Sequence, residues 1–365
     1  MLKDIIITDS IDEMIAIGKE LIVKMPEVYT EKRIAALKND LYAMLGDVTE
    51  EEKENKFYQA VYDFQAFGIS VEEEVYLHLW NKKAVEKKEY ITEGIRWKYM
   101  YSLNKKEDAH ILNDKYEAFL TLTPYYKRDV IMISSEADYD KFCDFIKKHN
   151  EFVVKPHDSS CARGVRKACC ADYESEKALF DELLADCGVF DKFSPAGQGK
   201  VVIEELIDQA DELAAFHPTS VNALRVTTVR VGDKVTIFYP WIKIGNDGDF
   251  IASAAQGGFD AGIDAATGEI VTDGFMENGE SIDVHPFSGV KFKGYKIPCW
   301  DGLVKTVTEL AMSLDTIHYV GWDMVLTKNG EWCVMEGNFA GQFMGQMVHQ
   351  RGFKAEFEEL IGWNK

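Results

Sequence analysis

Within the stretch GWDMVLTKNGEWCVMEGN, residues 321–338, Asp323, Glu336 and Asn338 have the types and spacing to hold a cation. The dipeptide Asn329-Gly330 predicts a two-residue type I′ turn between two strands. In that register Lys328 faces Glu331, Val325 faces Val334 and Asp323 faces Glu336, with Asn338 two residues further on the same face. Directly opposed Cβ atoms lie about 4.5–5.5 Å apart. Two ionised carboxylates about 5 Å apart repel by roughly 3 kcal/mol at an effective dielectric near 20. Nothing nearby in the sequence offsets this. A hard divalent cation would, and it takes oxygen ligands of this kind, completed by phosphates and water. The pattern points to a Mg²⁺-nucleotide site on a rigid sheet. The competing reading is a polar face turned to solvent. Val325 and Val334, assigned to the acid-bearing face, argue against it; Trp322, Met324, Leu326, Cys333 and Met335 are assigned to the opposite, buried face.

Phosphates at such a metal need cations and a close backbone. Lys155 ends the apolar strand FVVKP and is followed by the small polar loop HDSSCARG, which contains Ser159, Ser160 and Gly164. The strand KVVIEELI ends in Glu204 and Glu205, where extended backbone can meet an adenine edge. Arg225 and Lys243 each interrupt an apolar strand, which is unusual unless an anion meets them. Simple hairpin register puts these two on opposite faces. Either a bulge near Pro240 intervenes or only one reaches the site.

The elements that must carry these residues follow from periodicity. Residues 1–115 read as mostly helical, with Thr49 capping a helix that spaces Phe57, Val61 and Phe64 at helical intervals. Its aromatics are expected to pack helices rather than line a groove. Residues 116–208 alternate strands and helices as a small α/β lobe; a capping box runs from Ser135 to Asp138. Residues 209–365 hold two long strands turning at Gly232-Asp233, a helix with Asp301 as N-cap, and the acid-bearing hairpin. The segment 246–258 is expected to move, and His217 and His285 read as turn or packing residues. The chain has 365 residues and a formal net charge of −21, which argues against nucleic acid and anionic membrane as partners. No apolar run suits a signal peptide or membrane span, and seven cysteines without CxxC spacing read as reduced thiols, so a cytoplasmic location is expected.

The ordered set of Lys115, VVKP with Lys155, a small glycine-containing loop, VIEELI and WDMVLTKNGEWCVMEGN resembles the ATP-grasp superfamily. The pieces HPTSVNALRVTT (217–228), IKIGNDG (242–248), GGFDAGIDAATGEI (257–270), HPFSG (285–289) and IPCW (297–300) narrow the resemblance to the sugar-transfer-associated ATP-grasp proteins, over roughly residues 110–350. The resemblance implies an α+β fold in which two α+β lobes clamp ATP. Lys115 and Lys155 would hold phosphates under the 157–164 loop, Glu204, Glu205, Leu206 and Ile207 would line the adenine, and Asp211 or Glu212 the ribose. Asp323, Glu336 and Asn338 would bind Mg²⁺, as two ions, while Arg225 and Lys243 would stabilise the transferring phosphoryl group and the tetrahedral intermediate. One departure is Gly321, where many ATP-grasp ligases place an arginine; Arg225 would have to supply that charge.

The implied reaction joins a small-molecule carboxylate, a sugar acid or amino acid linked to polysaccharide or secondary-metabolite assembly, to an amine through an acyl phosphate. Phosphoryl transfer to another acceptor and a non-catalytic ATP-binding scaffold are the alternatives, and a homodimer is left open. The metal assignment predicts that Asp323→Asn or Glu336→Gln abolishes ADP release while circular dichroism shows the fold retained; near-full activity in either variant removes the assignment.

Overall fold

The computed structural model describes residues 5–159, 162–193, 199–246, 252, 257–276 and 278–363. Helices occupy the chain from Ile11 to Tyr126 before the first strand. Those spanning Ile11–Lys24, Glu31–Met44 and Glu50–Phe67 begin on hydroxyl caps: Ser10, Thr30 and Thr49 accept from the backbone of Glu13, Arg33 and Glu52. Each cap satisfies an amide that the first turn cannot. Phe57 and Val61 pack with Leu21, Tyr29 and Leu41, while Tyr62 and Phe67 join a second cluster that reaches Trp241 and Met347. These aromatics therefore fasten helices, as their spacing predicts.

This helical region also encloses a charge pair. Lys87 Nζ lies 2.7 Å from Asp63, with both side chains fully buried. Burial and the adjacent Asp63 push the Glu74 carboxyl well up.

Two antiparallel sheets follow. The smaller contains β1 (Val130–Ile133), β2 (Glu151–Pro156), β3 (Arg166–Cys169) and β4 (Val201–Glu205), in the order β1-β4-β2-β3. Its outer face packs Ile133, Phe152, Val154 and Ile203 against the helices Tyr139–Ile146 and Glu176–Phe190. Val130 and Val202, on the other face, belong to the core of the larger lobe. The larger sheet contains β5 (Ala223–Val231), β6 (Lys234–Ile244), β7 (Phe259–Gly262), β8 (Gly274–Phe275), β9 (Ser281–Ile282), β10 (Tyr319–Leu326) and β11 (Trp332–Asn338). Its order is β11-β10-β5-β6-β7-β8-β9. Helix Trp300–Ser313 covers one face through Leu303, Val307 and Leu310. Its N-cap is Cys299, at φ 53°, and not Asp301, which sits within the first turn.

The β10–β11 hairpin departs from the predicted register and then returns to it. Gly330 donates to Thr327 O and Thr327 donates to Glu331 O, each at 2.9 Å, so three residues close the turn. Gly330 is left-handed at φ 74° and Asn329 is not, which excludes a type I′ turn, where both central residues need positive φ. Val325 consequently faces Cys333, not Val334. A bulge at Met335 then adds one residue to β11, and beyond it Asp323 faces Glu336 as the sequence predicts. Val334 thus belongs to the main core, while Cys333 packs with Val325 and Met335 on the acid-bearing face. A second bulge lies on β6, where Tyr239 adopts φ 42° beside Pro240. It brings Lys243 opposite Ala223 and Trp241 opposite Arg225, so Lys243 and Arg225 share one face.

Removing one partner of a buried ion pair leaves a naked charge, so Lys87→Met is expected to destabilise the protein by about 3–5 kcal/mol in urea unfolding. A loss below about 1 kcal/mol would show that Asp63 is accommodated without Lys87.

Candidate active site

Four adjacent strands assemble the first half of the site. Asp323, on β10, is 3% exposed and forks onto Arg225 of β5, with Nε–Oδ1 at 2.6 Å and Nη2–Oδ2 at 3.1 Å. Lys243, on β6, adds a third contact at 3.1 Å. Burial alone would raise the Asp323 carboxyl, but Arg225 and Lys243 outweigh it and hold the group at about 2. These cations correct the expectation that only a divalent ion could relieve the Asp323–Glu336 repulsion. They come from strands about 80 and 98 residues distant in sequence, which no local pattern pairs with Asp323. A side chain at Gly321 would begin 3.2 Å from Arg225 Cδ, so the arginine lies over the place a residue there would fill.

Glu336 is half-buried beside Lys115, with Nζ–Oε1 at 3.2 Å. Lys115 Nζ also donates to Ser159 O at 2.5 Å, which ties the loop after β2 to β11. Asn338 donates through Nδ2 to Gly321 O at 3.0 Å and lies 3.5 Å from Asp323 Oδ2.

The second half centres on Glu204. Lys155 approaches its Oε1 at 2.7 Å, while Arg128 donates to Oε2 from Nε at 2.9 Å and Nη2 at 2.7 Å. Burial alone would raise this carboxyl too, and the two cations hold it at about 2. Burial lowers the Lys155 ammonium against the pull of Glu204. Arg128 joins the two halves, donating to Glu204 and to the carbonyls of Val334 and Met335 next to Glu336.

The remaining candidates are spread more widely. Glu205 points to the other side of β4, accepts from Asp129 N at 3.0 Å and lies 4.0 Å from His149. Leu206 and Ile207 are half-buried, and Ile207 packs against Ala223, Val325 and Cys333 where the chain crosses between sheets. Asp211 and Glu212 are exposed near the hairpin turn, Asp211 lying 3.9 Å from Lys328. Gly164 is left-handed at φ 78°, and a Cβ there would meet Pro156 Cγ at 2.9 Å, so glycine serves the fold of this loop directly. Ser160 and most of the 246–258 segment lie outside the described residues. His217 and His285 are buried and bound to Ser220 Oγ and Gly245 O, which makes them packing residues.

Two charged residues escaped the sequence reading. Asp260, 6% exposed, is the cross-strand partner of Lys243. Arg128 stands in KRDVI just before β1, a context with no local signal for burial. Only the position of Glu204 opposite Val130 brings its acid into reach.

The donors fit a hard divalent cation: two carboxylates and an amide carbonyl, carried by neighbouring strands beside Arg225, Lys243, Lys115 and Lys155. The Asn338 amide nitrogen is turned to Gly321 O and lies 3.5 Å from Asp323 Oδ2; its carbonyl would serve as the third ligand.

Because Asp323 and Glu204 titrate below their unfolded range near 4, their stabilisation is complete above about pH 4 and is lost as the pH falls towards about 2. The thermal midpoint should therefore drop between about pH 4 and 2, with a shallower acid limb in Glu204→Gln. An unchanged slope in that variant would contradict the depressed carboxyl.

The family model described as sugar-transfer associated ATP-grasp matches residues 95–360. No curated protein matches the chain. Solved structures similar to it include D-alanyl-alanine synthetase A from Vibrio cholerae O1 biovar eltor str. N16961, at 14% identity and TM-score 0.42, with 69% of this chain and 65% of that one covered. L-amino acid ligase from Bacillus licheniformis is similar at 17% identity and TM-score 0.41, covering 68% and 46%. D-Alanine-D-Alanine Ligase from Helicobacter pylori matches at 14% and 0.41, covering 71% and 60%. The chain thus spans less than two thirds of the length of each.

Proposed function

Since the chain belongs to the sugar-transfer-associated ATP-grasp family, we propose that it is an ATP-dependent carboxylate–amine ligase. The observation that carries this reading is the convergence of five cations, Lys115, Arg128, Lys155, Arg225 and Lys243, on one centre of an otherwise strongly acidic chain. Such a centre suits a polyphosphate. The carboxylate substrate is a sugar acid or amino acid serving polysaccharide or secondary-metabolite assembly, in keeping with the family description.

Asp323, Glu336 and Asn338 would hold Mg²⁺, as two ions, which when bound neutralises phosphate charge and aligns the γ-phosphoryl group. Lys155 and Lys115 bind phosphate oxygens, and the backbone from Glu204 to Ile207 lines the adenine. Asp211 or Glu212, exposed beyond that segment, would reach the ribose. Ser159 and Gly164 belong to the loop that closes over the phosphates.

The substrate carboxylate oxygen attacks the γ-phosphorus in line; the bond to the ADP oxygen breaks and an acyl phosphate remains. The amine then attacks the acyl carbon, and the C–O bond to phosphate breaks as the amine loses its proton to solvent. Arg225, with Lys243 beside it, stabilises the charge that grows on the acyl oxygen in this second step. Asp323 holds Arg225 in a bidentate fork, which fixes the direction of its remaining donor. Positioning and charge neutralisation supply the catalysis, so no nucleophilic side chain is required.

Incubation with panels of sugar acids, amino acids and amines, followed by mass spectrometry, tests the reading. The expected result is ADP and phosphate released only when both co-substrates are present, with an amide product lighter by one water than their sum. A phosphorylated product retained without an amine would instead assign a kinase.

A further inference from the structure

β11 contains an anomaly that the chemistry above does not use. Successive carbonyls of a regular strand point to opposite edges. Here the carbonyls of Val334 and Met335, consecutive residues, both accept from one guanidinium, that of Arg128. This is possible because the bulge at Met335 turns one of them round. The same guanidinium takes Glu204 of the smaller sheet through Nε and Nη2, and its Nη1 also donates to Tyr126 O at 3.2 Å. Its side chain is 3% exposed.

Three consequences converge on this residue. The bulge shifts β11 by one residue, and without it Asp323 would face Met335 rather than Glu336. Glu204 is the carboxylate that holds Lys155. Arg128 stands where the chain enters the smaller sheet, immediately before Asp129 and β1. It therefore joins the lobe that carries the phosphate lysine to the strand that carries the metal carboxylate, with every donor aimed at one or the other or at its own turn. A lysine could not do this: a single ammonium lacks the planar fork that spans a carboxylate and two carbonyls.

We propose that Arg128 is a positioning residue, one that touches neither nucleotide nor metal, and that it sets the register of Glu336 against Asp323 together with the reach of Lys155. This inference rests on the ligase reading of the site, since it presumes a metal-nucleotide bound there.

The test uses the full chain and Mg²⁺-AMPPNP as the probe, with affinity and the Mg²⁺ half-saturation concentration measured calorimetrically in wild type, Arg128→Lys, Lys155→Met and the double variant. Arg128→Lys keeps the charge beside Glu204 but releases the bulge. The expected result is a Mg²⁺ requirement raised roughly 10- to 100-fold, as for other groups that orient metal ligands, with the ligand-free thermal midpoint close to wild type. Lys155→Met should then cost less in the Arg128→Lys background than alone, because Lys155 has already lost its placement. If Arg128→Lys does not fold, Arg128→Leu with Glu204→Leu removes both members of the pair, and because Lys155 then loses its carboxylate the pair is compared with Glu204→Leu alone as well as with wild type.

Wild-type Mg²⁺ half-saturation in Arg128→Lys, or in the leucine pair, overturns the proposal. Strictly additive losses with Lys155→Met, or losses matching only a fall in thermal midpoint, make Arg128 a stability residue and also overturn it. Wild type that fails to bind the probe at all overturns the ligase reading first, and this inference with it.

Discussion

A carboxylate buried in the middle of a sheet has to be answered by cations, and much of this architecture follows from that requirement. Asp323 sits 3% exposed between β5 and β11. Burying such a group unpaired is prohibitive, so its partners are obligatory. Arg225 can reach it because β5 is the adjacent strand and the two residues are directly opposed. Lys243 can reach it only because the Tyr239-Pro240 bulge restores its face. The strained backbone at Tyr239 is thus coupled to the electrostatics of a residue two strands away.

Glu204 repeats the arrangement in the smaller sheet, with Arg128 and Lys155 in place of Arg225 and Lys243. The two nodes meet at Glu336, which also receives Lys115. A chain of net charge −21 has gathered cations where its two sheets come together. The five cations meet Asp323, Glu204 and Glu336 there, and buried charges act on one another more strongly than they would in water.

The helical region earlier in the chain secures the strand ends that carry this centre. Asn104 accepts from the amides of His318 and Tyr319 and donates to the carbonyls of Tyr319 and Phe339, spanning the start of β10 and the end of β11. Arg96 donates to Ala340 O, and Gln346 exchanges two hydrogen bonds with the backbone of Ile91. These contacts pin the segment after Asn338, where Gly341 lies close to Arg225. The helices therefore act on the site through the backbone, by limiting how far β10 and β11 can part.

Sequence alone determined the elements whose signals are local. The Asp138 carboxylate closing on Ser135 N, the hydroxyl cap at Thr49, apolar stripes along the helices and alternation in the strands follow from local sequence, and the order of motifs from Lys115 to Asn338 was enough to place the chain in its family. The facing of Asp323 and Glu336 was legible too, although by a route the structure replaces: a three-residue turn and a compensating bulge stand where a two-residue turn was expected. What only the tertiary structure decided are the charge partners and the bulges. Arg225, Lys243, Arg128 and Lys155 find their carboxylates across strands far apart in sequence, and a register shift of one residue depends on which carbonyls a distant guanidinium can satisfy. Such choices are made by long-range burial and hydrogen bonding, which no window of neighbouring residues contains.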